Sequence, residues 1–393
     1  MSKRYKAYKF RLYPNDEQYR LIMQSIGSAR FIYNYFLNLK DKYYKENKTN
    51  LSLKTMKHML VEMKGNEEYH FLKDIDSMAL TNSLEFLDNA YTNFFEGRSK
   101  HPVFKKRGVK DSYTTDCTRS TYKNRIYSNI KLDLINRTIK LPKLEIIKIR
   151  GYRNMTGFNG RIISACISRD VNKLYVSLTV KEEIEIPIVD YNEWNIIAID
   201  IGVKSLVVTS MGESYEKVKI NRIENHISAL QQDLSNKVRG SKNYNKLKNK
   251  IARLYQKIRN KRKNYIHSIT DKLTKENNVI ITEDLRVKEM ITSDTSTKSL
   301  RRGLTNASIC ELSRQLEYKC KWRSKKLIKI NRYYPSSQIC SSCGYQNKEL
   351  KELSIRKWTC PKCYHEHERD INASINILFQ GLLKLYGLKE IKV

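Results

Sequence analysis

The chain has no apolar run long enough to span a bilayer, no export signal and no lipidation motif, so a membrane protein is not expected. Its first residues, MSKRYKAYKF, alternate lysine with aromatics and lack the apolar centre of a signal peptide. Internal repeats and low-complexity linkers are absent as well. Negative charge is scarce beside positive. Aspartate and glutamate number 41 against 75 lysines and arginines, a net charge of +34 over 393 residues. A surface kept soluble by mixed charge would not be so one-sided, and an excess of this size attracts polyanions, above all phosphate backbones.

Hydrophobic residues make up 40% of the chain, enough for two or three packed domains. Residues 4–13 alternate: Tyr8, Phe10 and Leu12 share one face of a predicted strand, which Pro14 ends. Asn15 and Gln18 form a capping-box pattern, so a helix is predicted to follow. Leu80, Leu84, Leu87, Tyr91 and Phe94 predict another helix over 77–95, with a shorter one in LSLKTMKHML between them. From about 103 to 186 the period changes to two, and RDVNK at 169–173 predicts a hairpin turn. A small β-barrel is expected, its first strand 4–13 and a helical unit inserted after it.

NIIAID, ending at Asp200, and NNVIITEDL, ending near Glu283 and Asp284, read as strands buried on both faces. Residues 217–275 predict a helical hairpin with one apolar seam and 17 Lys or Arg against three Asp or Glu. That composition suits an element lying along a phosphate backbone. Residues 305–323 predict a helix and KLIKI at 326–330 a strand.

Of eight cysteines, Cys117, Cys166, Cys310 and Cys320 are scattered. Cys340, Cys343, Cys360 and Cys363 form two C-x2-C pairs separated by residues 344–359. This spacing predicts a closed tetrahedral Zn²⁺ site that folds a hairpin. Gly344 and Pro361 suit the two turns, and His365 and His367 are rival ligands just beyond them.

Asp200 and Glu283 end predicted strands, and Asp370 opens a predicted helix. Phosphodiester hydrolysis by two Mg²⁺ ions needs a few carboxylates in one place, and a ribonuclease-H-like fold draws them from such elements. Each acid alone has a plainer reading. Asp200 suits a turn, Asp284 rivals Glu283, and Asp370 suits a helix N-cap.

These segments resemble TnpB, the transposon-encoded RNA-guided DNA nuclease family ancestral to type V CRISPR effectors. AIDIGVKSLVV, ITEDL, SQICSSCGYQN with WTCPKC, and HERDINASINIL carry the resemblance, together with YKFRLYPNDEQ and HPVFKKRG nearer the N-terminus. It implies an α/β multidomain chain. A split β-barrel wedge domain would occupy 1–14 and 98–190, with a helical recognition domain inserted at 15–97. A RuvC-like nuclease domain would occupy 191–334 and 366–393, with a zinc-finger insertion at 335–365. It implies Asp200, Glu283 and Asp370 as catalytic, Mg²⁺-holding acids and the four cysteines as zinc ligands. The implied partners are a guide RNA from the transposon end and double-stranded target DNA, cut beside a short duplex motif. A cytoplasmic, nucleoid-associated prokaryotic protein is expected. Some relatives lack the acids and act as nuclease-silent RNA-guided regulators; here all three are present. A strand-joining transposase is the third reading, and no tyrosine-based motif supports it.

Overall fold

The structure is a computed structural model describing residues 2–122, 125–151, 160–184, 195–202, 205–285, 308–351 and 355–388. The chain divides into two compact units, Met1–Glu185 and Ile186–Val393. The expected boundary at 190/191 lies outside the described residues.

The first unit opens with β1 (Ser2–Tyr13), followed by α1 (Asp16–Asn47), α2 (Leu53–Gly65) and α3 (Ser77–Phe95). Strands β2 (Ser112–Asp116), β3 (Arg119–Tyr122), β4 (Arg125–Ser128), β5 (Lys131–Asp133), β6 (Thr138–Leu141), β7 (Glu145–Arg150), β8 (Gly160–Asp170) and β9 (Lys173–Ile184) complete it. Seven of them form one antiparallel sheet in the order β2-β8-β9-β1-β7-β6-β5. The first strand in sequence thus lies at the centre. The end strands β2 and β5 share no ladder among the described residues, so the sheet is open where the sequence pattern predicts a barrel. Both are short, five and three residues, and offer little backbone for closure.

Asn15 and Gln18 do cap α1 reciprocally, at 2.8 and 3.1 Å. This 32-residue helix serves two cores. Ile22, Ile26 and Ala29 pack with the sheet residues Phe10, Leu12 and Val176. One turn further on, Ile32, Phe36 and Leu37 pack with Leu60 of α2 and Leu80, Leu84 and Leu87 of α3.

The second unit is built on β10 (Ile196–Asp200), β11 (Ser205–Thr209), β12 (Ser214–Glu216), β13 (Val279–Glu283) and β14 (Lys326–Ile330). Their order is β12-β11-β10-β13-β14. The β10–β11 and β11–β12 pairs are antiparallel, whereas β10–β13 and β13–β14 are parallel. Helices α4 (Asn221–Ser235) and α5 (Lys242–Glu276) lie between β12 and β13 in sequence. α6 (Ile309–Trp322) precedes β14. After β14 come the short hairpin strands β15 (Lys357–Thr359) and β16 (Glu366–Glu368), then α7 (Arg369–Leu385).

Alternation along the strands explains why they read as continuous apolar runs. Ile197, Ile199 and Ile280 point to the α5 and α6 face, among Ile266, Ile269, Leu312 and Leu316. Ala198, Val279 and Ile281 point to the opposite face, with Ile328, Ile330 and Ile377 of α7. Both faces are covered, so apolar residues run unbroken from 196 to 199 and from 279 to 281. α7 lies very close to the sheet. A Cβ on Gly381 would come within 2.2 Å of Ile281 Cγ2, so glycine is required there by proximity, despite its cost inside a helix.

Candidate active site

The strand period of two also positions the acids. Asp200 follows Ala198 by two residues and Glu283 follows Ile281 by two, so both fall on the α7 face. The parallel register pairs Ile199 with Thr282, which sets Asp200 beside Glu283 at the C-terminal ends of adjacent strands. Asp370 is the second residue of α7. There the unpaired N–H groups of the first turn favour a carboxylate. Glu368, not Asp370, holds the N-cap position, so the capping reading of Asp370 does not apply.

Asp200 feels the other two acids. Burial pushes the Asp200 pKa up to about 7, and the charges of Glu283 and Asp370 add to the shift while Arg369 opposes it. Glu283 is also raised by burial, with Ser336 counteracting. Asp284, the rival acid, points elsewhere and pairs with Lys329 at 3.9 Å.

Two contacts from the zinc-bearing segment reach the acids. Ser336 Oγ donates to Glu283 Oε1 at 2.6 Å and is buried. Arg356 Nη1 donates to both oxygens of Asp370, at 3.0 and 3.3 Å. The segment is in turn fastened to α7. Asn376 Nδ2 donates to the carbonyls of Ser336 and Ile339, at 2.8 and 2.7 Å. Asn372 donates to Ile339 O at 2.7 Å and accepts from Ser341 N–H at 2.9 Å. None of these four residues stands out by a motif of its own. The one sequence signal is two asparagines four apart on an otherwise apolar helical face, in RDINASINIL.

The cysteines form a separate centre. Among the described residues they are the one set of three or more potential ligands whose donor atoms all lie within 4.8 Å of one another. Cys340 and Cys363 sulfurs are 3.6 Å apart, as are those of Cys343 and Cys360. Four thiolates around one zinc at about 2.3 Å stand about 3.8 Å from each other, so these residues fit Zn²⁺. The two knuckles repeat one turn. Gly344 N–H bonds Cys340 O at 2.9 Å and Tyr364 N–H bonds Cys360 O at 2.8 Å, with φ of 75° and 61° at the two residues. His367 Nε2 lies 3.0 Å from Cys340 Sγ, beside the sulfur set rather than within it. Among the described residues the three acids do not form a set of that tightness. A pair of ions about 3.5–4 Å apart needs a wider cradle than a single ion. Oxygen donors are the right type for Mg²⁺.

Several known proteins share this architecture. Three family models match: "Helix-turn-helix domain" at residues 1–49, "Probable transposase" of the OrfB/IS605 type at 162–294, and "Cas12f1-like, TNB domain" at 310–377. A Streptomyces pristinaespiralis protein named "Putative RNA-guided DNA endonuclease" is 32% identical over 379 residues, covering 96% of this chain and 89% of that protein. Escherichia coli K12 "Putative RNA-guided DNA endonuclease InsQ" is 32% identical over 391 residues, covering 96% and 93%. A Cas12f1–sgRNA–target DNA complex matches with a TM-score of 0.52 at 13% identity, covering 95% of this chain and 98% of that one. The chain belongs to the OrfB/TnpB family of transposon-encoded proteins, whose curated relatives bear those endonuclease names. In residues 1–49 the structure has one strand and a single long helix, β1 and α1, rather than two helices joined by a turn.

Proposed function

We propose that this chain, an RNA-guided DNA endonuclease of a transposable element, cuts duplex DNA beside a short motif by Mg²⁺-assisted hydrolysis at Asp200, Glu283 and Asp370. One observation supports this above the others: two adjacent parallel strands and one helix present the acids to a common face, where Asp200 feels the charges of Glu283 and Asp370. The strand order, three antiparallel strands and then two parallel to the first, is that of a ribonuclease-H-like sheet, and we read the second unit as RuvC-like on that basis. The first unit is read as the wedge sheet with recognition helices α1–α3 between β1 and β2.

Bound Mg²⁺ would supply an activated water and neutralise the leaving oxygen. The chain's own residues do the rest. Asp200 and Glu283 offer paired oxygens from a rigid sheet, and Ser336 fixes the Glu283 carboxyl. Arg356 holds Asp370 ready at the helix start. The zinc would pin β15 and β16, which carry the chain from Arg356 into α7. The cationic α4–α5 pair would bear on the phosphate backbone of the guide RNA or its hybrid with target DNA.

Asp200→Ala, tested with the copurified RNA and a matched target, should lose cutting at least a thousandfold (about 4 kcal/mol of barrier). RNA and DNA affinity should stay within about twofold, a few tenths of a kcal/mol. Equal loss of binding would make Asp200 structural. Wild-type binding without Mg²⁺-dependent cutting would make the protein a regulator.

A further inference from the structure

Residues 101–111, HPVFKKRGVKD, contain no helix or strand, yet they are held firmly. His101 stacks edge-on against Tyr91 and Phe94, with centroids 5.5 and 5.2 Å away. The Asn34 side chain clamps Lys105 from both sides: it accepts from the Lys105 N–H at 2.8 Å and donates to the Lys105 carbonyl at 3.0 Å. Asp111 accepts from Gly108 N–H at 3.0 Å and pairs with Arg30 at 3.3 Å. A fixed loop with this composition calls for an explanation beyond connecting α3 to β2.

Beneath it lies a cavity of about 530 Å³, well within the range of small-ligand sites. Ile26, Ala29 and Tyr113 contribute apolar lining. Phe86 and Phe104 also line it and remain 46% and 54% exposed. Single exposed aromatics are ordinary; two in one cavity beside a cation are not. Lys105 Nζ sits 3.7 Å from the Tyr33 ring centroid and 5.9 Å from that of Phe86. No carboxylate pairs with it among the described residues, and burial lowers its pKa to about 8. Asp111, the acid of the lining, is already neutralised by Arg30. Lys106 and Lys110 add positive charge to the lining.

A solvent-accessible ammonium beside exposed ring faces can take an anion, and the ring faces can take a flat apolar partner. A nucleotide supplies both, its phosphate to the cation and its base to the rings. The base must be unstacked to offer its face, which a rigid duplex does not allow, and unpaired segments are what proteins read in RNA. We propose that this cavity binds one unstacked nucleotide of the RNA partner, with the base against Phe104 and Phe86 and the phosphate at Lys105. The assignment rests on the RNA partner of the proposed function and is independent of cutting.

The test uses the full chain freed of RNA, with a single-stranded oligouridylate carrying 5-iodouridine as probe. Phe104→Leu keeps the apolar volume and removes the π face; affinity should fall about tenfold. Lys105→Gln should weaken binding and reduce the slope of log affinity against log salt by about 0.7. Lys54→Gln, exposed on α2, is the control and should bind as wild type. Photocrosslinks should map to Phe86 or Phe104. Wild-type affinity in Phe104→Leu, crosslinks confined elsewhere, or a loss seen only with oligothymidylate or duplex DNA would overturn the assignment. Wild-type RNA binding with unaffected variants overturns this inference alone; no RNA binding by the wild type overturns the proposed function with it.

Discussion

At the scale of single residues, the acids show how environment makes a site. Asp200 has a pKa raised to about 7 because it is buried beside two other carboxylates. The sign of the consequence is fixed. The folded chain holds this proton more tightly than the unfolded one, so the contribution to stability is present below the ordinary aspartate value, near 4. It is lost as pH rises through about 7. If Asp200 holds Mg²⁺ as proposed, divalent ions would oppose that loss, since binding requires the carboxylate and releases its proton. Calorimetric titration of Mg²⁺ should therefore show affinity increasing with pH up to about 7 and levelling off above it. Asp200→Asn should flatten the rise. An affinity independent of pH between 5 and 7 in the wild type (a range of about two units below the shifted value) would detach Asp200 from the ion site. The hydrogen-bonding partners of the acids are harder to read from sequence than the acids themselves. Asp200 and Glu283 are marked by the strands they end. Ser336 and Arg356 lie 53 and 14 residues from the acids they touch, and nothing local in YYPSS or SIRKW announces those contacts.

At the scale of elements, what sequence reveals depends on whether local chemistry or distant packing decides the outcome. The start of α1 was legible because Asn15 and Gln18 satisfy each other's backbone within four residues. Strands β10 and β13 were legible because cover on both faces demands apolar side chains throughout. The cysteine spacing likewise identified its own four-sulfur cluster. Sheet closure was not legible, because it depends on end strands meeting across the unit, and β2 and β5 do not pair among the described residues. Gly381 was equally silent. Alone in an apolar helix it looks like a weak point, whereas it marks the closest approach of α7 to β13. Gly381→Ala should improve intrinsic helix propensity by about 1 kcal/mol yet destabilise the protein by about 1–3 kcal/mol through overpacking against Ile281. Thermal melting would read the net loss. Since Asp370 rides on the same helix, Mg²⁺-dependent cutting should fall further than the melting shift alone accounts for. A higher melting temperature with full activity would show that α7 has room to spare.

At the scale of the whole molecule, the excess of 34 positive charges must be held somewhere without tearing the fold apart. The α4–α5 pair shows one solution. Ile227, Leu230, Ile251 and Ile258 form its buried seam, with Ile223, Leu247 and Leu254 packed beside them. Lysines and arginines occupy much of the remainder, so repulsion is spread over water while cohesion runs down the middle. Lys246 and Lys250 are exposed, one turn apart on α5, and no ion pair holds either among the described residues. Exposed cations of this kind are suited to meet phosphate. The double variant Lys246→Glu/Lys250→Glu should thus leave the melting temperature within about 1 °C, as surface changes do. It should reduce the salt slope for RNA or hybrid binding by about 1.4–1.8, the value for two phosphate contacts. Cutting should fall at ordinary salt and recover at low salt, where the remaining cations suffice. Loss of stability would place these lysines in the fold itself, and an unchanged slope would turn the hairpin's charge outward, away from nucleic acid.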